Sequence, residues 1–369
     1  MSAQFVDRVL DLAITLQQIP APTFKEARRA AYVHEQFLQE GLHDVATDSL
    51  GNVYGRLPGV GRAQAVIVSA HLDTVFPEDV DLQVRRSSEK IFGPGIGDNS
   101  LGVAGLFGLL WMLRKREESL GHPLPGDIWL VANVGEEGLG DLRGMRAVVD
   151  RFGEDVKGYI IIEGMALGQI YHRGLGVQRY RITVRTMGGH SWVDYGRPSA
   201  IHELAAFITR LDATELPEKP RTTRNVGVIS GGTTVNTIAA EACLELDLRS
   251  EDPQTLEELS AQVRTFVAAA NQPGVRFMVE SIGHRPAGEI PPDHALVRLA
   301  LRCLETAGLQ PRLNIGSTDA NIPLSLGLPA ICLGLSSGGG AHTMSEFINT
   351  PPLAMGLAQL AALVEQINR

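Results

Sequence analysis

AVIVSAHLDTVFP, Ala65 to Pro77, runs from a nearly continuous apolar stretch of strand length into a histidine and an aspartate two residues apart. A strand that is apolar throughout is stable only where both its faces are covered, as in a parallel sheet between layers of helices. Three further runs have the same character: DIWLVANV (Asp127 to Val134), GYIII (Gly158 to Ile162) and PAICLGL (Pro329 to Leu335). Between them, LGVAGLFGLLWML (Leu101 to Leu113) and the stretches that begin at Phe5 and His294 carry apolar residues at helical spacing. Alternation of these two patterns is the signature of βα units, so the expected fold is α/β with a mainly parallel sheet.

Val177 to Arg285 reads differently. In RYRITVR (Arg179 to Arg185) Tyr180, Ile182 and Val184 share one face, and in ACLELDLRS (Ala242 to Ser250) Leu244, Leu246 and Leu248 do the same opposite Glu245, Asp247 and Arg249. Strict alternation marks half-exposed strands of an antiparallel sheet. Helical patterns near Ala200 to Leu211 and Thr255 to Ala270 would cover its buried face. The order strand, helix, strand, strand, helix, strand predicts a ferredoxin-like α+β domain over 177–285, inserted into a discontinuous domain made of 1–176 and 286–369.

Composition narrows the function classes. At 369 residues and 44% hydrophobic content the chain can bury two cores. A formal charge of -9 argues against a nucleic-acid partner. Cys243, Cys303 and Cys332 are far apart without CxxC spacing and read as buried thiols of a reducing compartment. Asp7, Arg8 and Asp11 interrupt the first apolar stretch, which breaks a secretory h-region, and Leu101 to Leu113 falls short of the roughly 20 residues a bilayer requires. The expectation is a cytoplasmic protein with no membrane contact.

The residues that carry chemistry stand where apolar runs or glycine-rich turns end. His71 follows the first strand and Asp73 lies two residues on, where its carboxylate can accept the second imidazole N–H, or the pair can be a histidine beside an ordinary turn aspartate. In GPGIGDNSLGVAGL the GxGxxG spacing is imperfect, and Asp98 stands where a phosphate would need positive potential. Asp98 reads as a helix cap, a ligand, or both. VGEEGLG sets Glu136 and Glu137 side by side at a strand end, so one can bind an ion while its neighbour serves as a base, unless both are solvated surface charges. Glu163 closes IIIEGM, where an unpaired carboxylate costs several kcal/mol. His342 lies in the flexible stretch SSGGGAHTMSE. Imidazole and carboxylate without thiolate is the ligand chemistry of hydrolytic zinc or a similar divalent ion.

In this order and at this separation the segments resemble the dinuclear-zinc family that includes glutamate carboxypeptidase, succinyl-diaminopimelate desuccinylase, aminoacylase and peptidase T. The resemblance covers essentially the whole chain. It implies that Asp98 bridges two Zn2+ ions, with His71 and Glu163 completing one site and Glu137 and His342 the other. Glu136 then matches the general base and Asp73 the partner of His71. MGGHSW (Met187 to Trp192) resembles the element whose histidine, His190, reaches the active site of a partner subunit. GGTTVNTIAAEACLELDLRS (Gly231 to Ser250) resembles the segment that brings Asn236 and Arg249 near the substrate. The inserted domain becomes a lid and dimerisation module, hinged near Gly174 to Gly176 and Arg285 to Gly288.

What the resemblance implies is hydrolysis of short peptides or N-acyl amino acids by a metal-activated water, in a homodimer. Asn99 and Ser100 depart from the acidic or lysine residue many relatives carry after the bridging aspartate, which leaves zinc binding intact and bears on substrate preference. IYHRGLG and GGHSWVDYGRPSAI look closer to peptidase T, so a tripeptide-type aminopeptidase is the alternative within the family. Co2+ or Mn2+ can replace zinc in such a set. From another class, a non-catalytic metal-stabilised binding protein would lack the base or part of the ligand set.

Overall fold

The computed structural model describes residues 3–121 and 123–369, and the chain falls into two compact units, Met1–Gly174 with Gly288–Arg369, and Leu175–Ala287. The first is α/β. Its large sheet runs, in spatial order, through His43–Thr47, Val53–Leu57, Gly126–Asn133, Ala63–His71, Val156–Glu163, Ala330–Gly334, Gln169–Gly174 and Gly288–Glu289, with Arg312–Gly316 also paired to Gln169–Gly174. The four central strands are mutually parallel. Both margins turn antiparallel, so the sheet is mixed rather than parallel across its width. The central strands are covered on both faces and so carry the longest apolar runs. Val156–Glu163 shows it best, with Tyr159, Ile160, Ile161 and Ile162 all buried.

Leu101–Leu120 is the core helix of this unit. The helix continues past its apolar run through the charged residues Arg114 to Glu118 and so reaches 20 residues, longer than its hydrophobic stretch. Length and composition would allow it to cross a membrane, but 83% of its apolar window is buried inside the unit. It packs against the helices Ala3–Gln17 and Leu353–Asn368 and against the strand Ala63–His71. A second, small sheet of Gly338–Gly339, Phe347–Asn349, Lys90–Phe92 and Arg85–Arg86 has strands too short for any periodicity to reveal. It matters for position, because it ties the chain around His342 to the segment that leads into Asp98.

The parallel strands bring their carboxyl ends level. His71 lies opposite Asn133, and Glu163 lies opposite Gly334. Arg29 buttresses this edge from below. It is fully buried on the helix Ala27–Gln39, and its guanidinium donates to the carbonyls of Ile19 (2.7 and 3.0 Å) and Leu72 (2.7 Å), fixing the backbone just past His71.

The second unit has its own core. Four antiparallel strands lie in the spatial order Thr222–Gly231, Glu241–Ser250, Gly176–Thr186, Val275–Arg285. Helices Ala200–Asp212 and Pro253–Ala270 pack on this sheet, giving the chain order strand, helix, strand, strand, helix, strand. Pro253–Ala270 begins where Asp252 accepts the Thr255 N–H at 2.7 Å with Pro253 in the first turn, both of which favour a helix start. Alternation corrects one expectation: Cys243 shares the half-exposed face with Glu245, Asp247 and Arg249, so only Cys303 and Cys332 are buried thiols.

Candidate metal centre

His71 ends its strand with the imidazole buried. Its Nδ1 lies 3.0 Å from the backbone carbonyl of Asp73, which requires the proton on Nδ1 and turns Nε2 the other way, toward Asp98. The Asp73 carboxylate was expected to take that proton; instead its nearer oxygen stands 3.6 Å away. The carboxylate is occupied elsewhere. Oδ1 accepts the Glu136 N–H (3.0 Å), and Oδ2 accepts the Glu137 N–H (2.9 Å) and the Thr23 hydroxyl (2.9 Å). Asp73 thus orients His71 through its main chain and the two glutamates through its side chain. Gly135 opens their turn at φ +68, and a Cβ there would meet Arg143 at 2.8 Å.

Asp98 is the meeting point. One carboxylate oxygen, Oδ1, lies 3.2 Å from His71 Nε2, and the other, Oδ2, lies 3.1 Å from His342 Nε2. Glu163 approaches the first histidine at 3.7 Å and Glu137 the second at 3.1 Å. Two triads result, His71 with Asp98 and Glu163, and Asp98 with Glu137 and His342, the ligand atoms of each lying within 4.8 Å of one another. Each offers one imidazole nitrogen and two carboxylate oxygens, a set that suits a divalent ion and leaves coordination positions open for water or substrate. The two clusters form a dinuclear metal site.

Two residues that sequence reasoning missed hold this geometry. Glu346, fully buried, accepts the N–H groups of Gly95 (2.9 Å), Gly97 (2.7 Å) and Asp98 (2.8 Å), so it lashes the loop of His342 to the loop of Asp98. Asn99 is the second. It is buried: its side chain donates to the Ile162 carbonyl (2.8 Å) and accepts the Gly164 N–H (2.9 Å), clasping the backbone on both sides of Glu163. No local pattern announces either role, because the partners lie 63 to 251 residues away.

Electrostatics follow from three acids and two imidazoles gathered within a few ångströms. Burial alone would raise the Asp98 carboxyl, but hydrogen bonds from His342 and His71 hold it well below the usual range. Burial pushes Glu137 up to about 7 against the pull of His342, and Glu163 up to about 7 against the pull of His71. His342 is raised to about 10 by Asp98 and Glu137. Burial opposes charge on His71, yet Asp73, Asp98 and Glu163 together raise its pKa well above 6.5.

The metal-free site therefore holds protons that ligation must displace. Uptake of metal near pH 7 is expected to release protons, and affinity is expected to fall as pH falls. The stability sign agrees. The raised folded-state values of Glu137 and Glu163 stabilise the metal-free protein below about 4.5, and that contribution fades as pH rises through about 7. Calorimetric titration of metal in buffers of different ionisation enthalpy measures the release; a null result would disprove this charge state.

His190, Asn236 and Arg249 lie in the other unit. His190 is exposed in the short pair Gly189–His190 with Thr237–Ile238, its Nδ1 accepting the N–H of Trp192 (3.2 Å) and its own N–H donating to Asp194 (2.8 Å). Asn236 belongs to the same loop pair, since its carbonyl accepts the Ser191 N–H at 3.0 Å. Arg249 is already engaged: its Nε and an Nη donate to the two Asp247 oxygens at 2.7 and 3.4 Å, and Asp247 also binds Arg179.

Residues 67–366 match the model of the peptidase family M20/M25/M40. The chain is 25% identical over 373 residues to the uncharacterized protein YqjE of Bacillus subtilis, covering 97% of this chain and 98% of that one. It is 24% identical to succinyl-diaminopimelate desuccinylase of Corynebacterium glutamicum over 90% of its length and 89% of the relative's. A tripeptidase structure from Staphylococcus aureus shares the fold, with a TM-score of 0.81 at 23% identity and 99% of both chains covered. With both triads inside the matched residues, this chain belongs to the peptidase family M20/M25/M40 and is a metal-dependent hydrolase of amide bonds with a dinuclear metal centre.

Proposed function

We propose that the protein hydrolyses amide bonds of short peptides or N-acyl amino acids with two zinc ions as its working metals. The observation that carries this reading is the division of Asp98, whose two oxygens face two different histidines, each backed by its own glutamate. His71 and Glu163 would hold one ion, Glu137 and His342 the other, and Asp98 both. When bound, such a pair polarises a carbonyl and brings a water within reach of deprotonation near neutral pH. Co2+ and Mn2+ fit the same donors.

Glu136 is the base in this scheme. It is buried, stands three residues past the strand that ends beside His71, and shares with Glu137 a turn whose backbone is anchored by Asp73, which would hold it close to the two clusters. It would take the water's proton and return it to the departing amine. His190 would stabilise charge on the carbonyl oxygen, and Asn236 and Arg249 would hold the substrate's carboxylate or backbone, with Asp247 keeping the Arg249 guanidinium extended until substrate shares it.

The unit Leu175–Ala287 is taken as a ferredoxin-like lid and dimerisation module, in line with domain limits near 176 and 286. Support comes from its surface. Met187, Trp192, Val193, Tyr195 and Val235 are exposed around His190, and the outer strand Thr222–Gly231 leaves Val228 and Ile229 in solvent at a free sheet edge. A second copy would cover both, in a homodimer with twofold symmetry. Gly174 and Gly288, paired where the chain leaves and rejoins the first unit, give the natural hinge. A cytoplasmic location without nucleic-acid or membrane partners fits the acidic surface.

The test is a mass-spectrometric screen of di- and tripeptides and N-acyl amino acids with zinc, cobalt and manganese, run beside sedimentation velocity. Release of amine product from at least one class, by a dimer, is the expected result. Full metal loading with no hydrolysis of any amide would sink the substrate reading; full activity in a monomer would remove the dimer.

A further inference from the structure

Behind the metal clusters lies a polar pair that none of the steps above uses. Asn133 ends the strand Gly126–Asn133, and Asp319 sits in the loop that follows Arg312–Gly316. Both side chains are fully buried. Asn133 Nδ2 donates to Asp319 Oδ2 at 2.7 Å, which uses one polar atom of each. The other oxygen of each group, Asn133 Oδ1 and Asp319 Oδ1, is buried without a hydrogen-bond partner among the described residues.

Two orphaned acceptors on two groups already bonded to one another is an arrangement native interiors avoid. An ionised carboxylate has no donor to offer, so it leaves both oxygens unanswered and adds a buried charge. A single proton resolves all of this, because it turns one of the two acceptors into a donor for the other.

We propose that Asp319 is a positioning residue that carries its proton in the working enzyme and closes an acid–amide pair with Asn133, the amide N–H answering Asp319 Oδ2 and the Asp319 hydroxyl answering Asn133 Oδ1. The surroundings favour the neutral acid. Burial is the largest influence raising Asp319, to about 8, followed by the charge of Glu136; His71 and the Asn133 hydrogen bond pull the other way, and Asp73 again raises it. The Cys332 thiol is buried nearby and burial raises it, so it stays neutral.

The consequence runs along the backbone. Asn133 stands opposite His71 in the parallel register, and its carbonyl accepts the Leu72 N–H at 2.7 Å. Three residues later the same chain presents Glu136. Fixing the Asn133 side chain therefore fixes the strand end from which Glu136 and Glu137 extend, beside the backbone of a third site residue. Asp319 does this without placing another fixed negative charge next to Glu136.

The experiment uses the full chain loaded with zinc. Infrared difference spectra of wild type against Asp319→Asn at neutral pH should show a protonated-carboxyl C=O band that is missing from the variant; absence of such a band from wild type overturns the proposal. In steady-state assays Asp319→Asn, which keeps a donor at that position, should retain kcat/KM within about threefold. Asp319→Ala, which removes the pair, should lose about 10- to 100-fold. The exchanged pair Asn133→Asp with Asp319→Asn should recover most of the activity lost in Asn133→Asp alone. An Asp319→Asn enzyme as damaged as Asp319→Ala means that charge is required and refutes the neutral acid. The kinetic arm rests on the hydrolase reading, whereas the infrared arm does not, so the two can fail separately; should Asp319→Ala not fold, the infrared band and Asp319→Asn still decide.

Discussion

Glu136→Gln is expected to lower kcat by about 10²- to 10⁴-fold while both metal clusters keep their ligands. Glutamine matches the shape of glutamate, and the turn it occupies is held from behind, by the Glu136 and Glu137 N–H groups donating to Asp73. Neither triad contains Glu136. The substitution thus removes a proton acceptor and little else. Metal content by inductively coupled plasma mass spectrometry, measured on the same sample as turnover, separates the outcomes. Joint loss of metal and activity would make Glu136 a ligand; unchanged turnover would leave the base to another residue.

Glu346→Gln is expected to weaken metal binding by about 10- to 100-fold, with a matching loss of kcat/KM under limiting metal. Three main-chain N–H groups converge on the two carboxylate oxygens of Glu346, two on Oε1 and one on Oε2. A glutamine amide can accept through only one of its two atoms, so at least one donor is left facing another donor. Burial without a partner costs that N–H about 1–3 kcal/mol. The displaced loop carries Asp98, which belongs to both triads, so both ions should be affected together. Competition with a chromophoric chelator gives the affinities. Wild-type affinity in the variant would show that the Asp98 loop holds its shape without Glu346.

These two glutamates differ in how far the sequence discloses them. Glu136 stands at the end of an apolar run between glycines, a local arrangement that marks the edge of a buried strand, and its neighbour Glu137 shares the mark. Glu346 lies four residues past His342 in a loop of small and polar residues, where an acid is ordinarily solvated. Its burial depends on the Gly95 to Asp98 loop arriving from the opposite end of the chain. Asp319 is hidden for the same reason. Asp73 was visible as a residue but not in its function, because spacing gives the side of the strand on which a carboxylate lies and says nothing of which donors will reach it first.

Local patterns in the chain determined the elements: unbroken apolar runs set the central strands, strict alternation set the second unit, and residues at the ends of those runs set the metal ligands. Periodicity encodes burial, and burial on both faces leaves little choice of secondary structure. Tertiary structure alone decided the rest. The antiparallel margins, the small sheet behind His342, the split of Asp98 between two histidines and the donors gathered by Glu346 all arise from contacts between segments far apart in the chain. A hydrogen bond across hundreds of residues has no repeat length, so it leaves no trace in the local sequence.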